Sequence, residues 1–553
     1  MQRQVLIYCW IVLLAVLAIM SIYFWNLNSP GFITPGEPRY AEIAKEMVLS
    51  NNYLIPKFNG QVHLEKPPGL YWLTAFTFNI FGFHEWSARL IPVISALLTA
   101  LFILFIAVEV YANWYIGINA ALILLSSLGW YIFGRFLLTD IVSILLQTIA
   151  LWNFLKYKNT YKKGFCYGLF IFLALGAMIR GLLALIFPLS AIFILITLQK
   201  DFKLIWRKEW LGAFLVFWII FLPWHVLVEM QYPGFLKIYF LHNHIGRFLG
   251  QYPPGGNNSL SFWPFLGVTI AGFFPWSFFL VGVIQNAIVN RKIIIGNTPF
   301  GWVWSSVTLI FIFLSKAKLE RYFLPALPPL SLILADYFHS MVSYKHKILT
   351  RIILCISFLA ITVIGVGIYV IPIFRPDLIH RYDSIKVFTW VVAASYAMAG
   401  LGGIGLMFSY NIKWLLRYLF VLMLVSFIWV HAAITVFDDV LTSKKISEFI
   451  NNCPETEMVV VENSYQYYEG INYYADRQVY VLRAKDPLIE DLARWDGAMH
   501  PLLEYQDFEK LWRSNKSMLL ITKDHALIDR LPINAEDAVF LSPFWLITNK
   551  SRP

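Results

Sequence analysis

PGFITPGEPRYAEIAKEMVLSNNYLIPKFNGQVHLEKPPGLYW, residues Pro30–Trp72, is a polar, proline-punctuated stretch set between long apolar runs. The insert it opens continues to Arg89. It holds two dense segments, Pro35–Met47 and His63–Trp72, in which acids, bases and aromatics alternate. The chain around it is greasy, so polar chemistry is concentrated here. What flanks the insert decides the fold class.

Of 553 residues, 59% are hydrophobic and only 14% are charged, against roughly 25% charged in soluble domains. Apolar runs long enough for a bilayer of about 30 Å recur: Val5–Trp25 before the insert, then Leu90–Val110, Tyr115–Phe133, Ile141–Leu155, Phe165–Ile179, Leu182–Leu198 and Trp210–Val228. A second polar insert, Glu229–Ser261, precedes Phe262–Val289, Phe300–Leu314, Tyr322–Tyr337, Ile352–Phe374, Val387–Phe408 and Trp414–Phe437. The expectation is a polytopic α-helical membrane protein of about thirteen spans. Val5–Trp25 is too long for a signal peptide and lacks a small-residue cleavage site, so it reads as an uncleaved first span.

The net charge of +11 does not indicate nucleic acid. Its bases fall between apolar spans, in alternate loops such as Lys156–Lys163, Lys200–Lys208 and Lys345–Arg351, as the positive-inside rule requires of cytoplasmic loops. With the N-terminus inside, both polar inserts and the C-terminal region face outward, which in a bacterium is the periplasm. Cys9, Cys166, Cys355 and Cys453 show neither a disulfide framework nor CxxC spacing.

From Asp438 the composition becomes that of a soluble domain, taken here as residues 438–553 after a membrane part of 1–437. Ser443–Asn451 reads as a helix. Met458–Glu462, Gln478–Leu482 and Ser517–Thr522 read as buried strands, with helix at Asp524–Leu531. A small α/β domain of about 110 residues is large enough for its own core.

In the first insert, Pro38 suits the first turn of a helix. Tyr40, Ala44 and Met47 then share an apolar stripe opposite Arg39, Glu42 and Glu46, as in an amphipathic helix lying on a membrane with its charges solvated. Glu37 is left over. Glu65 and Lys66 stand before the rigid pair Pro67–Pro68. Further charges break the positive-inside trend on the outer side: Arg135, Asp140, Arg180, Lys316, Lys318 and Arg321. Snorkelling explains any one of them; together they suit an anionic ligand such as a phosphate. His242 and His244 in HNHIGRF lack helical zinc spacing.

PGEPRYAEIAKEM, HLEKPPGLYW, LLTD at Leu137–Asp140, HNHIGRF and KAKLERYFLP resemble, in this order, the segments of the bacterial lipid A aminoarabinose transferases. That family belongs to the protein mannosyltransferase-like, or GT-C, superfamily, and the resemblance covers nearly the whole chain. It implies a GT-C fold and transfer of a sugar, with inversion, from a polyprenyl-phosphate carrier to a lipid A phosphate or similar acceptor at the periplasmic face of the inner membrane. Gly36–Glu37 stands where the family has aspartate–glutamate, Arg180 replaces a lysine, and Asn243 replaces a glutamate, while His244 and Arg247 match.

The roles implied are these. Glu37 acts as general base, unless the acceptor is an already ionised phosphate, and Asp140 is the second catalytic acid, orienting the cations or the sugar with Glu65. Arg39, Lys66, Arg180, Arg247, Lys316, Lys318 and Arg321 hold phosphate, with Tyr40 and Tyr322 adding hydroxyl contacts. No cofactor is required, a divalent metal on Glu65, His242 and His244 being an open alternative. The partners implied are the lipid-linked sugar, a glycolipid acceptor and membrane lipids, with the chain a monomer. A lipid-linked-sugar flippase, a protein O-glycosyltransferase and a membrane-anchored binding protein are the competing readings. A flippase would carry repeated halves and ionisable groups near mid-membrane.

Overall fold

The computed structural model describes residues 16–251, 259–289, 299–343, 383–407, 412–462, 465–482, 502–528, 538–541 and 544–549, with single positions between them. The first insert folds into α1 (Glu37–Ser50), a short hairpin of β1 (Lys57–Phe58) and β2 (Gln61–Val62), and α2 (Gly69–Phe81). Then come α3 (Glu85–Tyr111), α4 (Trp114–Leu125), α5 (Leu128–Gly134), α6 (Thr139–Thr160), α7 (Lys163–Arg180), α8 (Leu183–Gln199) and α9 (Lys208–Gln231). A π-helical segment, Ile238–Gly246, leads to α10 (Phe262–Gly272), α11 (Leu280–Val289), α12 (Phe300–Leu314), α13 (Leu327–Ser343), α14 (Asp383–Met407) and α15 (Ile412–Val436). Helices suit these apolar runs because hydrocarbon leaves a backbone only its own groups to bond.

The apolar runs from Leu90–Val110 to Phe300–Leu314 fall on helices, with two breaks, while Tyr322–Tyr337 enters its helix only at Leu327 and the part of Val5–Trp25 before Val16 lies outside the described residues apart from Leu14. Tyr115–Phe133 bends by 66° between α4 and α5, where the Ser126 and Ser127 hydroxyls donate back to the carbonyls of Leu122 and Ile123. Phe262–Val289 bends by 101° just before Trp276. Among the described residues four helices are long and apolar enough to cross a membrane, or six if each bent pair is one span. The expected total of thirteen is therefore not reached on length alone: α8 and α12 are short apolar helices, and Ile352–Phe374 lies outside the described residues apart from isolated positions.

The C-terminal region forms a six-stranded sheet in the order β5-β4-β3-β6-β8-β7, from β3 (Met458–Glu462), β4 (Val479–Leu482), β5 (Leu502–Leu503), β6 (Met518–Thr522), β7 (Ala538–Leu541) and β8 (Phe544–Thr548). The first four are parallel; β8 and β7 are antiparallel. The three strands expected from sequence form its centre, every residue of β3 and β6 being buried. Phe508, Trp512 and Leu527 pack one face.

The other face shares a core with the first insert: Phe32, Tyr40, Met47 and Tyr71 cluster with Ile446, Val459 and Tyr465. Polar ties reinforce that layer. The Thr34 amide donates to the Leu441 carbonyl at 2.9 Å, and the Asn59 amide nitrogen to the Val479 carbonyl at 2.9 Å. Helix α1 starts with Pro38 in its first turn, as expected, but it is no membrane-surface helix. Glu37, Glu42 and Lys45 are buried along with Tyr40, Ile43 and Met47, because the sheet domain covers the face that sequence left to solvent.

Candidate active site

Six separate segments meet at one end of the bundle: the start of α1, the turn before α2, the start of α6, the end of α7, the stretch just past the π-helical segment, and the loop after α12. Lys66 donates to the Tyr40 hydroxyl and lies 4.9 Å from its ring centre. Arg39 pairs with Glu65 at 3.5 Å, and Arg247, just past the π-helical segment, donates to the other Glu65 oxygen at 2.8 Å. Arg180 donates to Asp140, and Arg321 approaches the second Asp140 oxygen at 3.5 Å. The Arg180 guanidinium also lies 5.4 Å from the Tyr322 ring centre. Lys156, near the other end of α6 from Asp140, pairs instead with Glu109.

The cations act on their neighbours' protons. Burial resists ionisation of Tyr40, but the positive charges of Lys66, Arg39 and Arg321 prevail and lower its pKa, Lys66 itself donating to the hydroxyl. Burial likewise opposes charge on Glu65, yet Arg247, Lys66 and Arg39 hold its carboxyl well below the usual range. His63, which sequence reading did not single out, has its Nε2 3.9 Å from Glu65. Burial pushes its pKa down to about 3, so it is neutral at pH 7.

Glu37 has a different place from the one expected. Its side chain is 2% exposed and accepts four hydrogen bonds: from Arg89 Nε at 3.0 Å and Nη2 at 2.7 Å, and from the amides of Ile33 at 2.9 Å and Leu137 at 2.8 Å. Arg89 also donates to the carbonyls of Leu27, Pro30 and Gly31. This is a buried brace fixing the entry of the insert, and its filled acceptor sites leave no oxygen to take a substrate proton.

Three other expectations shift. The buried Lys318 ammonium donates to the Ser315 carbonyl, closing its own loop, and Lys316 is exposed with its stem over Gly250. Arg135 donates to the carbonyls of Ile22 and Trp25 and to Tyr131, so it anchors the chain just ahead of the first insert. A metal on Glu65, His242 and His244 does not fit. His244 Nε2 accepts the Leu182 amide and Nδ1 meets the Tyr239 carbonyl, and no three metal-type ligands converge among the described residues.

The bundle also holds a cavity of about 340 Å³ lined by Phe170, Leu173, Leu189, Phe217 and Trp218, with His225 among them. It reaches Leu182, two residues beyond Arg180. The chain thus carries a cluster of guanidinium, ammonium and phenol groups, and an apolar slot between α7, α8 and α9 with Leu182 in its wall.

A family model described as dolichyl-phosphate-mannose-protein mannosyltransferase matches residues 65–226. The solved structure of ArnT from Cupriavidus metallidurans bound to undecaprenyl phosphate superposes with a TM-score of 0.79 at 20% identity, over 98% of each chain. The fold is that of the aminoarabinose transferases, a GT-C fold. In sequence, the chain is 28% identical over 387 residues to undecaprenyl phosphate-alpha-4-amino-4-deoxy-L-arabinose arabinosyl transferase 1 of Proteus mirabilis (strain HI4320), 69% of each chain. A second transferase of that organism is 31% identical over 337 residues, 59% of each. The chain is similar to these aminoarabinose transferases, the matched segments spanning 69% and 59% of their lengths.

Proposed function

We propose that this chain is a membrane glycosyltransferase that moves a sugar from a polyprenyl-phosphate carrier to a phosphate of lipid A or a similar glycolipid, at the periplasmic face of the inner membrane. The observation that carries the reading is the convergence of cations from separate segments, Lys66 on the Tyr40 hydroxyl, Arg39 and Arg247 on Glu65, and Arg180 and Arg321 on Asp140, in a bundle that also holds an apolar cavity between α7, α8 and α9. A lipid phosphate matches both halves: an anionic head for the cations and a hydrocarbon tail for the slot.

In the reaction the acceptor oxygen attacks the anomeric carbon as the bond to the polyprenyl-phosphate oxygen breaks, with inversion. The leaving phosphate takes the electron pair, and Lys66 and Arg321 stabilise its growing charge, with Tyr40 and Tyr322 adding hydroxyl contacts. Asp140, held by Arg180 and Arg321, keeps those cations oriented. Glu65 does the same for Arg39 and Arg247.

The state of the acids favours a phosphate acceptor over a protein hydroxyl. Glu37 is a brace, Glu65 and Asp140 are ion-paired, and His63 is too weak a base at a pKa of about 3. A phosphate acceptor is ionised at pH 7 and needs no base. The test is incubation of purified protein with undecaprenyl phosphate-aminoarabinose and lipid A, read by mass spectrometry. A sugar-sized mass gain on lipid A supports the proposal; gain only on a protein acceptor, or translocation of unaltered donor, refutes it.

A further inference from the structure

The sheet domain has no part in the chemistry above, yet it places a side chain inside the cluster. Glu469 directly precedes the helix Gly470–Ala475, beyond β3, and is 0% exposed. Its Oε2 accepts the Gly36 amide at 2.8 Å, and its Oε1 lies 3.3 Å from Arg39 Nη2. Arg39 is therefore flanked by two carboxylates from opposite ends of the chain, Glu65 at 3.5 Å and Glu469. Burial works against the charge on Arg39, and Glu469 followed by Glu65 more than restores it, raising its pKa. Gly36 itself holds a φ of +116°, a conformation L side chains rarely adopt, so the turn that begins α1 relies on this distant carboxylate.

We propose that Glu469 is a positioning residue lent by the C-terminal domain to the anion site, setting the Arg39 guanidinium so that it meets the lipid phosphate. The physical reason is geometric. A guanidinium is a rigid planar fork, and with one carboxylate it can swing toward that partner. Glu65 is already shared by Arg39, Arg247 and His63, so losing Glu469 would draw Arg39 onto Glu65 and away from ligand. The domain thereby becomes part of lipid-phosphate recognition. The inference rests on the function proposed above.

The experiment measures undecaprenyl phosphate binding, and KM and kcat for transfer, on the full chain in nanodiscs. Glu469→Gln keeps the shape and an acceptor for Gly36, so it removes charge alone. It is expected to weaken undecaprenyl phosphate binding and raise donor KM by about tenfold, with kcat changed less than about threefold, and Glu469→Asp is expected to restore part of the loss. In an Arg39→Gln background, Glu469→Gln is expected to add less than about twofold, because it acts through Arg39. Asp476→Asn, which loosens the Lys45 tie of the same interface, is expected to leave KM unchanged. Wild-type affinity in Glu469→Gln, or a full additive loss on top of Arg39→Gln, overturns the inference. If the wild type binds undecaprenyl phosphate with an affinity that falls in Glu469→Gln but transfers nothing, the reaction assignment fails and the positioning role stands; if it binds no undecaprenyl phosphate, both fail.

Discussion

Lys66 and Glu37 lie in the same insert and have opposite fates. Lys66 points at Tyr40 in the cluster, whereas Glu37 is locked to Arg89, 52 residues on. Replacing Lys66 with Met is expected to lower kcat/KM at least about 30-fold while the protein still folds, as removal of one buried charge contact does; near-normal turnover would exclude Lys66 from the phosphate site. Glu37→Gln is expected to behave differently. Taking charge from one side of a buried pair costs about 3 kcal/mol, so melting should fall while kcat of the folded fraction stays within a few-fold of normal. A large kcat loss at unchanged stability would return Glu37 to the chemistry. Sequence made both residues visible, since dense mixed charge in a greasy chain is conspicuous. It could not say which acid is braced, because Arg89 closes on Glu37 only once the insert has folded.

At the scale of elements, α1 and the π-helical segment decide how the site is held. Glu42 on α1 is 6% exposed, and its carboxyl is pushed up to about 8 by burial, with Lys45 only partly offsetting this. The folded form then holds a proton that the unfolded form releases above about pH 4.5. Stability from this group is complete below that pH and is lost as pH rises through 8. Glu42→Gln is therefore expected to raise the melting temperature more at pH 8 than at pH 5.5; an equal gain at both would contradict the buried, protonated state. At the π-helical segment, a Cβ on Gly181 would sit 2.3 Å from His244 Nε2 and 2.4 Å from the Tyr239 hydroxyl, at a φ of +69°. Gly181→Ala is expected to push that segment outward, carry Arg247 off Glu65 and raise donor KM several-fold. Unchanged KM would show that Arg247 is positioned independently. The helices themselves were legible from apolar length. The burial of α1 was not, because the sheet domain that covers it lies some 400 residues later in the chain.

On the scale of the molecule, the insert and the sheet domain form one layer over the membrane bundle, with Phe32, Tyr40 and Tyr71 packed among Ile446, Val459 and Tyr465. Strands β3, β4 and β6 were readable as continuous apolar runs; β5 is only two residues long, while β7 (Ala538–Leu541) and β8 (Phe544–Thr548) are apolar runs that the sequence reading passed over. Glu469 was hidden because a lone acid in an aromatic run carries no sign of a partner 430 residues earlier. The organising idea is that cations from separate segments converge on one lipid phosphate. Its most direct measurement is the affinity of undecaprenyl phosphate for the full chain in nanodiscs, for the wild type, Lys66→Met, Arg321→Gln and the Lys316→Gln control. Convergence requires the first two variants to lose at least about tenfold each and Lys316→Gln to bind as the wild type does. Equal affinity across all four proteins would contradict it.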